Sequence, residues 1–367
     1  MTVDQYQKRR DRLRKSVRQH AASLLVTHPV NVSYLTGFTG EDSYLWVSPD
    51  GDLLLSDPRF EEQIGEECPG LPTFIRRPGE SLAEVVMGQV SGSASAPLGI
   101  EAHRLSVDVF DAWQRQLPDG AMVKTSGLVE QLRMIKDKDE VLRIRRAVDV
   151  AQRVFVAVRA QLSARHTERD IADEIERLTR VLGGSGCAFK TIVAAGPRAA
   201  LPHAIPGEHR LGDQPFVLID WGAVVAGYRS DLTRVLVTSK IPAKFARIYE
   251  VVLAAQQAAI AALKPGVPVS EIDRVAREVV AAAGHGPRFN HGLGHGIGLD
   301  IHEAPRLGAK PDLTLEAGMV VTVEPGVYYP GWGGIRIEDD VLITSAGHEV
   351  LSSLSRELHE NCVDLLA

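Results

Sequence analysis

Asp220, Asp231, His295, Glu324 and Glu338 are the side chains on which chemistry can be built. Each lies in an apolar, strand-like or glycine-rich stretch, where an ionised carboxylate is very costly unless it is paired, hydrogen-bonded or bound to metal. Four carboxylates with one imidazole and no thiolate favour hard or borderline divalent cations such as manganese, cobalt or iron over a cysteine-held structural zinc.

The elements that would carry the acids read as hairpins. PFVLIDWGA and YRSDLTRVLV are β-rich runs joined by a short VVAG connection. With the turn centred between Val225 and Ala226, Asp220 and Asp231 face each other. Directly opposed Cβ atoms lie ~4.5–5.5 Å apart, and like charges there repel unless a cation sits between them. MVVTVEPGVYY and GIRIEDDVLIT meet through Pro330-Gly331-Trp332, and Glu324 and Glu338 are equidistant from Gly331. Salt bridges to Arg229, Arg234 or Arg336 are the competing account, and for either hairpin alone the two accounts stand level. Two such hairpins with a histidine cluster between them favour metal.

That cluster is HGLGHGIGLDIHEAP, with His291, His295 and His302 among Gly292, Gly294, Gly296 and Gly298. Glycines let a backbone approach a metal or substrate closely. The run lacks GxGxxG spacing and a P-loop lysine, which argues against a nucleotide site. HExxH and GxSxG are also absent from the chain, which leaves zincin and serine-nucleophile chemistry without support.

With a formal net charge of -6, the chain lacks the basic surface of a general nucleic-acid binder. Cys68, Cys187 and Cys362 are far apart and form no CxxC pair, so they read as reduced thiols of a cytoplasmic protein. The basic start MTVDQYQKRRDRLRKSVRQH could serve a membrane surface or a nucleic acid but reads better as a solvated helix face, and no apolar stretch is long enough to span a membrane.

At 367 residues two domains are expected. SLLVT, YLWVS and DLLLSD read as strands of an amino-terminal α/β unit, with a boundary near 130: residues 1–130, then 131–367. In the second part Ala151-Gln152 recurs as Ala255-Gln256, and Thr167-Glu168-x-Asp170 recurs as Ser270-Glu271-x-Asp273. Each of the latter resembles a capping box opening a second helix. Asp220 likewise precedes Glu324 by 104 positions. A duplication would give each half two helices followed by a carboxylate-bearing strand pair; chance matching of two helix pairs is the alternative.

LIDWGA with SDLTR, then HGLGHGIGLDIHE, VEPG and GIRIED, resemble in order and spacing the metallopeptidases of the pita-bread fold, most closely the Xaa-Pro aminopeptidases and Xaa-Pro dipeptidases (prolidases). NVSYLTGFTG and SDPRFEEQ resemble the creatinase-type amino-terminal domain, and LRMIKDKDEVLRIRRA the family's interdomain helix. The resemblance implies an α+β chain: an amino-terminal α/β domain, then a duplicated, pseudo-two-fold catalytic domain built on antiparallel sheet. It implies two divalent ions per chain, manganese first, with cobalt, iron or zinc as alternatives. Asp220 would bind one ion, Asp231 and Glu338 would bridge both, and His295 and Glu324 would complete the second. His203 of LPHAIPG and His302 would contact substrate or stabilise the intermediate, Glu324 would shuttle protons, and His291 and Arg336 would lie near the proline and carboxyl side of the substrate.

The implied reaction is hydrolysis of the bond preceding proline in short peptides by a hydroxide shared between the two ions, with the chain working as a homodimer. Methionine aminopeptidases share the ligand set but normally lack the extra domain. A metal-free creatinase-like amidinohydrolase or a non-catalytic peptide-binding scaffold would not need all five ligands intact. Gly207-Glu208-His209-Arg210 departs from the Ser-Asp-Arg-like turn of relatives and is expected to be a surface loop.

Overall fold

The computed structural model describes residues 2–91, 97–238, 240–309 and 313–365. The chain divides into two units, Met1–Arg133 and Met134–Ala367.

In the first unit, helices α1 (Val3–Val17), α2 (Pro29–Thr36), α3 (Glu61–Glu67), α4 (Leu82–Ser91), α5 (Val107–Gln114) and α6 (Leu128–Met134) accompany a sheet. Its strands are β1 (Ser23–Val26), β2 (Tyr44–Ser48), β3 (Gly51–Ser56), β4 (Thr73–Ile75), β5 (Leu98–Glu101) and β6 (Met122–Thr125). They lie in the order β4-β3-β2-β1-β5-β6. Only β2 runs antiparallel to its neighbours. All of β1 is buried, as a strand covered on both faces must be.

The basic run forms α1 but is less solvated than expected. Arg9 donates to the Tyr34 carbonyl at 2.9 Å, and Arg10 to the Leu35 carbonyl at 2.7 Å and Asp52 at 2.8 Å. Tyr34 and Leu35 lie in the last turn of α2, where helix carbonyls lack intrahelical donors and attract cations. Among the described residues no helix is long and apolar enough to cross a membrane.

The second unit repeats one plan. Helices α7 (Lys138–Ala160) and α8 (Glu168–Val181) are followed by β7 (Gly186–Cys187), β8 (Ile192–Ala195), β9 (Phe216–Trp221), β10 (Ala223–Val225), β11 (Tyr228–Arg229) and β12 (Leu232–Val237). Helices α9 (Ala243–Ala262) and α10 (Val269–Ala282) are followed by β13 (Gly294–Gly296), β14 (Glu303–Leu307), β15 (Val320–Val323), β16 (Gly326–Tyr329), β17 (Gly333–Arg336), β18 (Asp339–Thr344) and β19 (Gly347–Val350). Antiparallel β8-β9-β12 in one half corresponds to antiparallel β13-β15-β18 in the other. Asp220 is the penultimate residue of one middle strand and Glu324 directly follows the other, while Asp231 and Glu338 each immediately precede the third strand.

Local signals explain most helix starts. Asp137 and Glu140 cap α7 reciprocally, and Thr167 and Asp170 do so for α8. The matching box expected at Ser270 does not form: α10 starts at Val269 behind Pro268. Asp273 is instead buried, pairing with Arg277 at 2.7 Å and accepting the Leu293 amide at 3.2 Å.

Strands β9 and β12 are buried throughout because they separate two cores. Val217, Ile219, Trp221, Leu232 and Leu236 pack with Val154, Phe155 and Ile175 of the first helix pair. Phe216, Leu218, Val235 and Val237 pack with Phe245, Val252 and Ile272 of the second pair and with Val321, Val323 and Val341. Alternation along a strand places Asp220 and Thr233 on this second face.

The hairpin registers differ from each other in how far they follow the sequence. In β15–β18 and β16–β17 every pair is symmetric about Gly331, the register that sets Glu324 opposite Glu338. In the first hairpin Val225 pairs with Tyr228 and Asp220 with Thr233, so Asp231 is diagonal to Asp220 rather than opposite. The turn is centred on Ala226-Gly227, both at positive φ (49° and 83°), the geometry that two-residue hairpin loops prefer.

Candidate active site

The first hairpin breaks at Gly222, where a Cβ would come within 1.8 Å of the Ser230 carbonyl. Asp231 leaves the ladder there, and its amide donates to Asp340 Oδ2 at 3.0 Å. From the other half, Glu338 donates its amide to the Thr233 carbonyl at 3.2 Å and accepts the Thr233 hydroxyl at 2.6 Å. His295 comes from β13, whose glycines admit the neighbouring backbones: a Cβ on Gly294 would lie 2.0 Å from the Thr322 carbonyl.

These elements bring ligand atoms of Asp231, His295 and Glu338 within 4.8 Å of one another, all buried. His295 Nε2 is 3.5 Å from Asp231 Oδ2 and 3.6 Å from Glu324 Oε1. Its Nδ1 faces the Gly296 carbonyl at 3.0 Å, which assigns the proton to Nδ1 and leaves Nε2 with its lone pair towards the acids. Burial holds His295 down to about 4, so the imidazole is neutral near pH 7.

The carboxylates show how crowded the cluster is. Burial, with Glu338 and Asp220 nearby, pushes Asp231 well above the usual range. Burial, with Glu324 and Asp220 nearby, does the same to Glu338. Glu324 is pushed up by burial to about 8. Asp220 is also raised by burial, against the pull of Arg336; its Oδ2 pairs with that guanidinium while buried Oδ1 has no partner. Neighbouring Asp339 behaves oppositely. It too is fully buried, yet Arg234 and Arg356, at 2.7 and 2.6 Å, hold it below the ordinary value.

Asp339 is thus a satisfied structural acid, whereas the surrounding acids converge acceptor atoms with too few donors. An orphaned Asp220 oxygen, a neutral imidazole and three further carboxylates fit hard or borderline divalent cations.

The remaining predicted residues fall around this cluster. His302 is exposed, with its ring edge-on to His295 at 4.4 Å between centroids. Exposed His203 is close enough for its charge to act on Asp220, His291 and His302. His291 is half-buried, with Nδ1 2.7 Å from the Gly292 carbonyl and Nε2 3.0 Å from the Tyr328 hydroxyl. Burial, reinforced by Arg336 and Arg277, lowers it to about 4.

Arg336 is held by residues of the cluster. It is 3% exposed, and its nitrogens donate to Thr233 Oγ1 at 3.1 Å, the Tyr328 hydroxyl at 2.9 Å and Asp220. These bonds brace the cluster. The departing segment after LPHAIP is a surface loop at Glu208–Arg210, as expected, but Gly207 is tied by its amide to buried Glu168 at 2.9 Å.

Three participants went unread in the sequence: Thr233, Tyr328 and Asp340. A period of two carries the signal for all three, since Thr233 follows Asp231, Tyr328 follows Glu324, and Asp340 follows Glu338, by an even step.

Comparison with known proteins agrees with this architecture. Residues 9–135 match the creatinase/prolidase N-terminal domain and residues 143–345 match metallopeptidase family M24. The chain is 36% identical to an Xaa-Pro dipeptidase of Pyrococcus furiosus, over 91% of this chain and 94% of that protein. Among solved structures it is similar to an Xaa-Pro dipeptidase from Bacillus anthracis (TM-score 0.92, 34% identity, 96% of this chain and 99% of that one). It is also similar to an X-Pro aminopeptidase from Thermotoga maritima (TM-score 0.86, 32% identity, 96% and 100% covered). The second unit accordingly has the pita-bread fold, and the family implies a dinuclear metal site and peptide substrates. The chain belongs to metallopeptidase family M24 and carries a creatinase-type amino-terminal domain.

Proposed function

We propose that the chain hydrolyses the peptide bond preceding proline at the free amino terminus of short peptides. The observation that supports this most is the buried convergence of Asp231, His295 and Glu338, joined by Asp220 and Glu324. Asp220, Asp231, His295, Glu324 and Glu338 would hold two divalent cations, manganese first. Bound there, the cations would supply Lewis acidity towards a scissile carbonyl and towards water.

The chain's own groups account for the proton movements. Glu324, whose Oε1 lies 3.6 Å from His295 Nε2, is the carboxylate that takes and returns a proton, as general acid-base catalysis requires. It receives the water proton at Oε1 and passes it to the departing proline nitrogen. His302, exposed beside His295, donates to the oxygen on which negative charge develops, a contribution commonly worth ~3 kcal/mol. His203 and His291 face the substrate across the cluster. Arg336 hydrogen-bonds Tyr328, whose hydroxyl donates to His291 Nε2; this network keeps Asp220 and His291 in place.

A length series from Ala-Pro to longer Xaa-Pro peptides, offered to manganese-loaded protein, tests the reading. Cleavage before proline, with Ala-Ala left intact, is expected; no cleavage of any member sinks it. Activity confined to dipeptides identifies a prolidase, and activity on longer members an aminopeptidase. The accompanying proposals are a cytoplasmic homodimer with two ions per chain, checked by light scattering and metal analysis.

A further inference from the structure

The loop that delivers His302 is built around a buried ion pair. Glu303 directly follows His302 and opens β14. Its Oε1 accepts the Asp300 amide at 2.9 Å, and its Oε2 takes Lys136 Nζ at 3.2 Å. The Lys136 side chain is 1% exposed and that of Glu303 7%. Breaking such a pair leaves an uncompensated charge out of water, so the two side chains fix each other firmly. Gly298, at the start of the loop, lies against this carboxylate: a Cβ there would be 2.7 Å from Glu303 Oε2 and would displace it.

Lys136 is itself anchored to the catalytic sheet. Its amide donates to the Gly318 carbonyl at 2.9 Å. Gly318 has φ +96°, and a Cβ there would meet the Lys136 carbonyl at 3.0 Å. That turn leads into β15, which runs to Glu324. Arg229 grips the loop from the first half, its Nε on the Leu299 carbonyl at 3.0 Å and its amide on the Gly298 carbonyl at 2.9 Å.

We propose that Lys136 and Glu303 are positioning residues for His302: their ion pair holds the Gly298–His302 loop so that the exposed imidazole stands against His295 and faces the cluster. Neither residue touches substrate; both act through His302. Only the kinetic part of the test rests on the peptidase reading.

The full-length Lys136→Met variant is compared with wild type in two ways. Amide hydrogen exchange across residues 298–302 is expected to quicken about tenfold, with α10 unchanged; an unchanged loop overturns the proposal whether or not any peptide is cleaved. With manganese and Ala-Pro, kcat is expected to fall on the order of tenfold to a hundredfold, as for a misplaced reacting group, with metal content unchanged. In a His302→Ala background the same substitution should cost nothing more, and an undiminished further loss there also overturns it. If Lys136→Met does not fold, Glu303→Gln keeps the shape and the Asp300 bond while dropping the charge. The loop exchange and kcat of that variant should then change about threefold, and no change in either overturns the proposal. A wild-type chain inert towards every Xaa-Pro peptide refutes the proposed function and leaves the exchange result to decide this one.

Discussion

The two halves of the second unit use one plan with different side chains. The first contributes aspartates, Asp220 and Asp231, arranged diagonally across a hairpin; the second contributes glutamates from an opposed register. The difference teaches that neither half holds its acids alone. Each half's acids are held by the other: Thr233 donates to Glu338, Arg336 pairs with Asp220, and Asp340 accepts the Asp231 amide. A duplicated fold has become a single centre by bracing across its pseudo-two-fold.

The largest effect expected from breaking that comparison is at the acids themselves. Asp231→Asn and Glu338→Gln, one from each half, should each lower kcat/KM by roughly a thousandfold or more, because cation chemistry is worth several kcal/mol. Both should also lose bound metal on analysis after dialysis. If one variant keeps full metal content while the other loses it, the halves hold their ions independently and the cross-braced account fails.

Next in size is the response to pH. Glu324 stands at about 8 in the cation-free protein, above its unfolded value of about 4.3. Its stabilising contribution is complete below the unfolded value. As pH rises, the unfolded chain gives up this proton first, so stability falls towards and through about 8. Asp231 and Glu338, also raised, act in the same direction. Chelated protein should therefore melt at progressively lower temperature between about pH 5 and pH 8, and manganese should reverse the trend. Calorimetry in buffers of different ionisation enthalpy should show proton release on metal binding at pH 7. A flat melting profile with no proton release would falsify the picture of protonated acids awaiting a cation.

A smaller effect is expected at the brace. Thr233→Val removes the hydroxyl shared by Glu338 and Arg336 while conserving side-chain shape. Metal affinity should fall by roughly tenfold to a hundredfold, the usual cost of losing a group that orients a ligand, and Thr233→Ser should restore most of it. Unchanged affinity in the valine variant would reduce Thr233 to a packing residue.

How much of this was legible in the sequence depends on whether a partner lay within the same hairpin. The symmetry of Glu324 and Glu338 about Gly331 survived because the loop there is itself symmetric. In the first hairpin the turn lies one position later than the spacing of Asp220 and Asp231 suggests, which moves every pairing by two. A shift of two keeps each side chain on its face, so the acids still converged despite the wrong partner. Thr233 bonding Glu338, and Arg336 pairing with Asp220, cross more than a hundred positions. No periodicity within one strand can reveal such contacts. Ser270 shows the opposite limit: its local pattern was sound, but Asp273 was drawn into the core to meet Arg277 and the Leu293 amide.

The turn that set the first register offers the finest test. Ala226 holds φ 49°, a conformation that costs an L-residue with a β-carbon ~1–2 kcal/mol and that asparagine adopts more readily. The cost is tolerated because Gly227 beside it completes the two-residue turn, and the reward is the pairing of Asp220 with Thr233. Ala226→Asn should therefore raise stability by ~0.5–1 kcal/mol in denaturant unfolding and leave metal affinity untouched, because the register is already in place. A loss of affinity in this variant would mean that the strained alanine, rather than the glycine beside it, determines where the first half's acids fall.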